Sequence, residues 1–535
     1  MDSVEGLLKR LEQLNDIGAS LSKEHDIKRL LERILLAAKS ITNADGGTLY
    51  RMMEDGQTLC FEMLRTDSLQ IAMGGTSGSV IGFPNLSLRD ANGAPNDSMV
   101  AAFAAIHQQT VNIANADTES NFDFSGTRYF DERTGYHSQS LLAVPMKDHE
   151  GEIIGVLQLI NARELDSETV VPFSVADQHL TESLASQAAI ALSNRLLLTQ
   201  LEELFESFIK LINLAVDEKS HYTVGHCQRV TALTLLLADA VVETNEGPLA
   251  SFTMNERERY ELKIAALLHD CGKVTTPVHV VDKSTKLHAL FDRGHLIDTR
   301  FEVLKRDAEL LALKRQLALR PCIDEQADAD ILLTLQSAIK SLDADRDFLR
   351  AMNHGVELGQ PDALQRVRDI GGQRSWRNAN GIQAQFLTPD EIENLTIKTG
   401  TLTAAERTTV NHHVVATIKM LEQLPWPKHL KNVPEYAAGH HERIDGKGYP
   451  NGLKGEQMSI QARVMGIADI FEALTASDRP YRSGMSLSQA IGTMNDLKDN
   501  GHIDPELHEI FLRKRIYERY AEQFLDPLQI DTIPP

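Results

Sequence analysis

Seven side chains that can bind metal ions occur in short, distinctive contexts in the second half of the sequence. They are five histidines and two aspartates: His226 in GHCQRV, His269 and Asp270 in LLHDCGK, His413 in NHHVV, His440 and His441 in GHHERIDGKGYP, and Asp469 in GIADIFEAL. Several of them are predicted at the ends or on the inner faces of apolar helices, where an unpaired imidazole or carboxylate is costly to bury. A divalent metal ion satisfies several such groups at once. Because histidines dominate, the set favours iron, manganese, zinc or nickel over calcium.

The adjacent pair His269 and Asp270 predicts how two metal ions would share this site. A carboxylate can bridge two metals, whereas a histidine binds only one, so Asp270 is the predicted bridge. Two metal ions about 3.5 to 4 Å apart would hold a water between them, lower its pKa and direct the resulting hydroxide at phosphorus. The residues therefore predict hydrolysis of a phosphodiester.

The elements that position these residues are predicted to be helices. Beyond Ser220, apolar residues recur at helical spacing in VTALTLLLADAVV, ERYELKIAALLHD, VVATIKMLEQL and SIQARVMGIADIFEAL. In this helical half, the order of the motifs resembles the HD-GYP family over residues 221–287 and 396–515. The match is specific, because the chain follows the family pattern without interruption from residue 439 to residue 482.

This resemblance implies a division of the ligands between two metal ions. One ion would be held by His226, His269, Asp270 and Asp469, and Asp270 would bridge to a second ion held by His413, His440 and His441. Iron or manganese is favoured, with magnesium, zinc or nickel as alternatives. Lys273 follows the bridge by one turn, where it can protonate the leaving alkoxide or stabilise charge on the scissile phosphate.

Cationic and aromatic residues near the same motifs predict a site for an anionic substrate. The loop from Gly446 to Pro450 contains Lys447 and Tyr449, and the tyrosine offers a ring for guanine and a hydroxyl for phosphate. Arginine binds phosphate through paired hydrogen bonds, and the nearby arginines are Arg443, Arg479 and Arg482. The substrate implied by the resemblance is cyclic di-GMP, cut to pGpG, with further cleavage to GMP left open. A mixed cyclic dinucleotide such as cyclic GMP-AMP is an alternative.

Some features depart from the family pattern. Certain members carry a glutamate four residues before the first histidine, which brings in a third metal, but this chain has Tyr222 there. A two-metal centre is therefore preferred. Glu472 stands where the family often has aspartate, and could still reach a metal through water. The chain also carries an insertion from about residue 288 to about residue 390, whose apolar periodicity predicts two or three helices.

The first half of the chain has a different texture. From Gly46 to Ala162, short runs rich in β-branched and apolar residues alternate with turn-rich stretches, which predicts an antiparallel sheet surrounded by helices. NADGGTLY and GEIIGVLQLINA resemble a GAF domain, a small-molecule sensor module, over residues 24–195. The stretch between them resembles GAF domains that bind cyclic nucleotides, which implies a ligand site at Asn112, Phe122, Asp131 and Glu132. The basic residue expected soon after Asn112 is missing, so another ligand, or a GAF domain that only dimerises, is an alternative.

A long helix is predicted between the two halves, within residues 176–220. Its apolar residues recur at alternating three- and four-residue steps, a coiled-coil pattern, at Leu198, Leu201, Phe205, Phe208, Ile212 and Ala215. Such a helix would pair with its copy in a homodimer, together with the GAF domain, and would pass rotations or register shifts onward. Packing of this helix on its own domain is the alternative.

The charge and hydropathy of the chain exclude several classes of protein. Its 54 lysines and arginines against 76 aspartates and glutamates give a net charge of -22, which argues against DNA as a partner. No stretch approaches the roughly 18 apolar residues of a membrane span, and the opening segment lacks the apolar core of a signal peptide. These features predict a cytoplasmic protein.

These patterns predict a multi-domain fold that joins an α+β domain to an all-α domain. The expected parts are an N-terminal helix (1–23), an α+β GAF domain with an antiparallel sheet (24–195), a coiled-coil linker helix (176–220), an all-α HD-GYP domain (221–515) with a helical insertion (288–390), and a C-terminal tail (516–535). The expected activity is a metal-dependent cyclic di-GMP phosphodiesterase regulated by an unknown small ligand of the GAF domain. A receptor that binds the dinucleotide without cleaving it, and a dimerising scaffold, are the alternatives.

Overall fold

A computed structural model of the chain describes residues 4–21, 24, 26–90, 92–164, 167, 169–220, 225–319, 325–354, 361–477 and 484–531. The chain divides into two compact units, and the boundary falls between Phe205 and Glu206. No helix in the described ranges is long and apolar enough to cross a membrane.

The first unit is built on an antiparallel sheet. Its strands are β1 (Ala44–Met52), β2 (Thr58–Thr66), β3 (Ile71–Gly74), β4 (Leu86–Ser87), β5 (Val111–Ile113), β6 (Leu141–Lys147), β7 (Ile153–Arg163) and β8 (Val170–Val171). They lie in the order β3-β2-β1-β7-β6-β5, while β4 pairs with β2 and β8 pairs with β7. The helices of this half are α1 (Val4–Leu21), α2 (Ile27–Thr42), α3 (Val100–His107), α4 (Ser125–Thr134) and α5 (Val175–Lys219).

The two faces of this sheet bury different sets of helices, because successive strand residues point to opposite faces. Leu142 and Val144 of β6 pack in one apolar cluster with residues of α1, α2 and the first part of α5. Their neighbours Leu141 and Ala143 pack in a second cluster with residues of α3. The first unit is therefore a sheet between two helical layers, which confirms the predicted α+β class.

The second unit is largely helical, as predicted. Its helices are α6 (His226–Val242), α7 (Glu256–Leu268), α8 (Val278–Val281), α9 (Gly294–Leu319), α10 (Glu325–Asn353), α11 (Pro361–Gln373), α12 (Pro389–Leu395), α13 (Ala404–Glu422), α14 (Val433–Ala438), α15 (Ile460–Thr475), α16 (Leu487–Asp499), α17 (Pro505–Arg513) and α18 (Ile516–Phe524). Capping boxes begin α7 at Asn255, α12 at Thr388 and α13 at Thr403. Each satisfies backbone N–H groups that the first helical turn leaves without partners.

The insertion contains α9, α10 and α11 together with a short hairpin that the apolar periodicity did not predict. Its strands are β9 (Ser375–Arg377) and β10 (Gln383–Gln385), which are too short and exposed to give an alternating apolar pattern. The turn between them contains Asn380 and Gly381, and the glycine has a φ of 73°. An Asn-Gly pair is a recognised hairpin signal, so the sequence did contain a sign of this turn.

The segment expected to be a C-terminal tail begins with a packed helix. Ile516, Tyr517, Tyr520 and Ala521 of α18 are buried, and the helix packs against α6. The apolar and aromatic residues at three- and four-residue steps in this segment explain the packing.

Candidate metal centre

The first histidine of the candidate site stands at the beginning of a helix. Gly225 precedes α6 with a φ of 72°, a conformation that glycine adopts without steric cost. His226 is buried, and its Nδ1 lies 2.6 Å from Oε2 of Glu472 in α15. Oε1 of Glu472 accepts a hydrogen bond of 2.8 Å from Nε of Arg229, one turn after His226. Both oxygens of Glu472 therefore face protein donors.

His269 and Asp270 follow the last turn of α7. Nδ1 of His269 donates to the Ala266 carbonyl at 2.8 Å. After Asp270 the chain tightens into a 3-10 helix at Cys271–Thr275. A Cβ at Gly272 would lie 2.0 Å from the His413 carbonyl oxygen, so only glycine permits this close approach to α13. The glycine of HDCGK therefore allows Asp270 to lie against the helix that carries His413.

The remaining histidines approach Asp270 from α13 and from the turn after α14. Nδ1 of His413 donates to the Val410 carbonyl at 2.5 Å, and Nδ1 of His440 donates to the Ala437 carbonyl at 2.6 Å. A carbonyl oxygen only accepts, so each Nδ1 carries the hydrogen. The Nε2 atom of each ring is left for another partner.

Asp270 lies at the centre of the assembled side chains. Its Oδ2 is 3.2 Å from Nε2 of His226 and 3.2 Å from Nε2 of His269. Its Oδ1 is 3.1 Å from Nε2 of His413. The carboxylate of Asp469 lies 3.3 Å from Nε2 of His226 through one oxygen and 3.9 Å from Nδ1 of His441 through the other.

The possible ligand atoms form two compact groups in the described part of the chain. One group contains His226, His269 and Asp270, and the other contains His413, His440 and His441, with ligand atoms within 4.8 Å of one another in each. The structure thus brings together all seven residues that the sequence singled out.

Several buried polar atoms at this centre have no hydrogen-bond partner among the described residues. They are Oδ1 of Asp270 and the Nε2 atoms of His226, His269, His413 and His440. Burial of such atoms without partners costs free energy. Imidazole nitrogens together with carboxylates are the donors that divalent transition metals prefer, so these residues fit metal ions.

The electrostatics of the centre favour ionised carboxylates. Burial raises the pKa of Asp270, but the charges of Lys273 and His269 outweigh it and hold this pKa well below its usual value. Nζ of Lys273 lies 2.6 Å from Oδ2 of Asp270. Burial lowers the pKa of His441 to about 4, whereas at His269 the effect of burial is outweighed by the Asp270 charge, which raises the pKa to about 9. Metal ligands must be deprotonated, so binding at His269 would displace a proton.

The candidate substrate residues are placed in part near this centre. The ring centroid of Tyr449 is 4.8 Å from that of His441. Arg443 and Lys447 both approach Asp445, with nitrogen-to-oxygen distances of 2.9 and 3.5 Å, so an anionic substrate would compete with this carboxylate. Arg479 and Arg482, like Tyr222, lie outside the described residues.

The candidate ligand residues of the first unit do not converge. Asn112 lies between Val111 and Ile113, which point into the same apolar cluster as Phe122. Strand residues alternate between faces, so Asn112 points to the opposite face, where its amide donates to the Phe173 carbonyl at 3.3 Å. Asn112 and Phe122 therefore do not line one pocket, contrary to the implied arrangement.

Asp131 and Glu132 also differ from the expected pair. Asp131 accepts hydrogen bonds from the backbone N and the hydroxyl of Ser138, at 2.8 and 2.9 Å, and Glu132 is exposed. Asp45, within NADGGTLY, is a buried carboxylate of this unit that was not among the predicted ligand residues. It accepts from the Ser68 hydroxyl at 2.7 Å and from the Tyr136 hydroxyl at 2.6 Å.

Models of known domain families match both units. The GAF domain model matches residues 26–192, and HD domain models match residues 223–326 and 383–507. The chain therefore combines a GAF domain with an HD domain. We call the first unit the GAF unit and the second unit the HD unit.

Proteins similar to this chain include named phosphodiesterases. The 3'3'-cGAMP-specific phosphodiesterase 1 of Vibrio cholerae is 27% identical over 311 residues, which cover 56% of this chain and 66% of that protein. A cyclic di-GMP phosphodiesterase of Pseudomonas aeruginosa is 40% identical over 253 residues, which cover 47% of this chain and 54% of that protein. This chain thus spans less than two thirds of the length of either relative. These matches support the predicted combination of an N-terminal GAF domain with an HD domain and the resemblance to cyclic-dinucleotide phosphodiesterases.

Proposed function

We propose that the chain is a metal-dependent phosphodiesterase that hydrolyses a cyclic dinucleotide, with cyclic di-GMP as the first candidate. The convergence of five histidines and Asp469 on Asp270 carries this proposal, because it joins metal-binding donors with an ionised carboxylate in a buried site. The names of the relatives support the class of substrate. The proposed products are pGpG and, after a second cleavage, GMP.

The proposed two-metal centre divides the seven ligands as the family resemblance implies. His226, His269, Asp270 and Asp469 would hold one ion, and the second would be held by His413, His440 and His441 together with the shared Asp270. Iron or manganese is the preferred metal, with magnesium, zinc or nickel as alternatives. Metal ions held in this way supply an activated water for attack on phosphorus.

Lys273 is the proposed general acid. Its ammonium group lies 2.6 Å from Asp270, and this contact orients it toward the centre. A proton at this position can pass to the departing alkoxide as the phosphodiester bond breaks. Tyr449, beside His441, would stack on a guanine base, and Arg443 and Lys447 would contact phosphate. Arg479 and Arg482 remain predicted substrate contacts.

A mixed dinucleotide is the second candidate substrate, because one relative is named for 3'3'-cGAMP. The deciding experiment incubates the metal-loaded full chain separately with cyclic di-GMP and with cyclic GMP-AMP, and follows linear products by chromatography. Faster turnover of one substrate would choose between them. Binding without turnover of either would favour a receptor, and elemental analysis without bound metal would favour a scaffold.

The linker helix supports a proposed homodimer. Leu198, Leu201 and Phe208 of α5 expose between 52% and 64% of their surface in the single chain, although apolar residues at coiled-coil spacing normally face a partner helix. Pairing with a second copy would bury these apolar side chains. Leu201→Glu should halve the mass measured by light scattering, whereas Lys210→Glu, also exposed on α5, should leave it unchanged.

The cytoplasmic location of the protein stays a prediction.

The last turn of α5 supports the proposed regulation by an unidentified GAF ligand. Nζ of Lys219 donates to the Lys273 carbonyl at 3.4 Å and to the Val274 carbonyl. Asp217 accepts from the backbone N of Gly225 at 3.1 Å, directly before His226. A shift of this turn would therefore move both a metal ligand and the general acid. Lys219→Met should change turnover without changing the dimer mass, and unchanged turnover would contradict this route.

A further inference from the structure

The histidines of the candidate metal centre differ in what holds their Nδ1 atoms. His269, His413 and His440 each donate to a carbonyl three residues earlier in the chain. His226 is the first residue of α6, whereas the others follow a helix or lie within one. Its Nδ1 instead faces the carboxylate of Glu472, 246 residues away in the sequence.

Glu472 is itself held firmly in place. Its side chain is fully buried, and Arg229 contacts its second oxygen through Nε at 2.8 Å and Nη2 at 2.7 Å. His226 and Arg229, the two partners of Glu472, come from α6. Glu472 lies in α15, one turn after Asp469. Both carboxylate oxygens of Glu472 therefore face N–H donors, from which they accept hydrogen bonds.

We propose that Glu472 is a positioning residue that makes one metal site stronger than the other. Its carboxylate holds the hydrogen on Nδ1 of His226, which leaves Nε2 facing Asp270 and Asp469. Carboxylates that contact a metal-bound histidine in this way strengthen metal binding by roughly 10- to 100-fold. The inference rests on the proposed metal centre.

The two ligand groups differ in the number of carboxylates that lie close to them. The group around His226 has Asp270 and Asp469 within 3.3 Å of its Nε2, with Glu472 behind the ring. The group of His413, His440 and His441 shares Asp270 and has Asp469 at 3.9 Å from His441. Lys273 beside Asp270 and Arg229 beside Glu472 offset part of this negative charge. The first group still has two carboxylates next to its Nε2 atom, so a divalent cation should fill it first.

The test measures binding of Mn²⁺ alone to the full chain, by elemental analysis after dialysis against a series of buffered Mn²⁺ concentrations. The wild type should take up two equivalents in two steps. Glu472→Gln should weaken the tighter step by roughly 10- to 100-fold and leave the weaker step unchanged. Glu472→Asp, which restores the charge, should recover part of the loss. Thr475→Val, a buried polar change one turn later in α15, serves as the matched control and should bind as the wild type does.

A variant of the neighbouring arginine separates electrostatics from a folding defect. Arg229→Met removes the cation that competes for Glu472 but leaves the 2.6 Å contact between Glu472 and His226, so the tighter step should be at least as strong as in the wild type. Loss of similar size in Glu472→Gln and Arg229→Met would show that the cluster only supports folding, and would overturn the proposal. Wild-type affinity in Glu472→Gln would also overturn it. Absence of Mn²⁺ from the wild type would instead reject the proposed metal centre.

Discussion

The candidate sites in the two units illustrate when a sequence motif marks a ligand site. In the HD unit, the motif residues come from distant segments, and four Nε2 atoms at their meeting point lack partners among the described residues. In the GAF unit, Asn112 and Asp131 already have protein partners, and Asn112 and Phe122 lie on opposite faces of the sheet. Several unsatisfied ligand-type atoms that meet at one buried point favour a metal site, whereas residues that already have protein partners and lie apart do not form one.

The largest expected effect comes from removing the shared carboxylate of the HD unit. Asp270→Asn keeps the shape of the side chain but loses the charge that the proposed bridge requires, so turnover of cyclic dinucleotide should fall by about 10²- to 10³-fold or more. Bound metal should fall as well. Asp45→Asn alters a buried carboxylate of the GAF unit and should leave turnover close to that of the wild type. Equal losses in both variants would break the comparison between the units.

Removal of the proposed general acid should have the next largest effect. Lys273→Met should lower kcat by about 10²-fold, because the leaving alkoxide loses its proton donor. Bound metal, measured by elemental analysis, should be retained, because Lys273 is not a ligand. If kcat is unchanged, Lys273 serves only to balance the charge of Asp270.

If Asp45 of the GAF unit has a structural role, its substitution should change the stability of the unit and not the binding of a ligand. Asp45→Asn should reduce the free energy of unfolding of the GAF unit by about 2 kcal/mol at neutral pH, because Asp45 accepts charge-assisted hydrogen bonds from Ser68 and Tyr136. Burial raises the pKa of Asp45, but these hydrogen bonds outweigh it and lower the pKa.

The same pKa shift sets the pH dependence of this effect. The contribution of Asp45 is present above its unfolded pKa of about 3.9 and is lost as the pH falls through the lower folded value. The difference between wild type and Asp45→Asn in thermal or denaturant unfolding should therefore shrink below about pH 4. A difference that persists in acid would assign the effect to packing.

The smallest expected effect is at Asn112. Asn112→Ala removes hydrogen bonds on the helix-covered face of the sheet and should lower stability by about 0.5 to 1 kcal/mol. Binding of cyclic nucleotides to the GAF unit, if any is measured by calorimetry, should not change. Selective loss of such binding would show that Asn112 contacts a ligand. The motif residues of both units would then mark ligand sites.

The sequence was most informative where local spacing determines the structure. Helices of the HD unit follow from apolar residues at three- and four-residue steps, and the ligand types follow from the residues themselves. The hairpin of the insertion was missed because its strands contain only three residues each, and the packed helix α18 was taken for a tail. In these cases the local pattern was short, and tertiary packing decided the outcome.

The insertion also has contacts that local sequence patterns do not predict. Its boundaries follow from the interruption of the motif pattern, but the contacts that hold its ends together do not. Nζ of Lys283, before the insertion, contacts Asn394 at 2.7 Å and Glu406 at 2.7 Å beyond it. A fully buried lysine needs such partners, and they lie more than a hundred residues further along the chain.

The sequence by itself determined which residues could bind metal, in which order they occur, and that helices carry them, because residue type and helical periodicity are local properties. Only the tertiary structure decided that Gly272 lets Asp270 lie against α13, that Glu472 faces His226, and that Asn112 turns away from Phe122. Each of these depends on a distance between segments far apart in the chain, or on which face of a sheet a neighbour covers. Such distances are set by the packing of the whole unit and cannot be read from spacing along the chain.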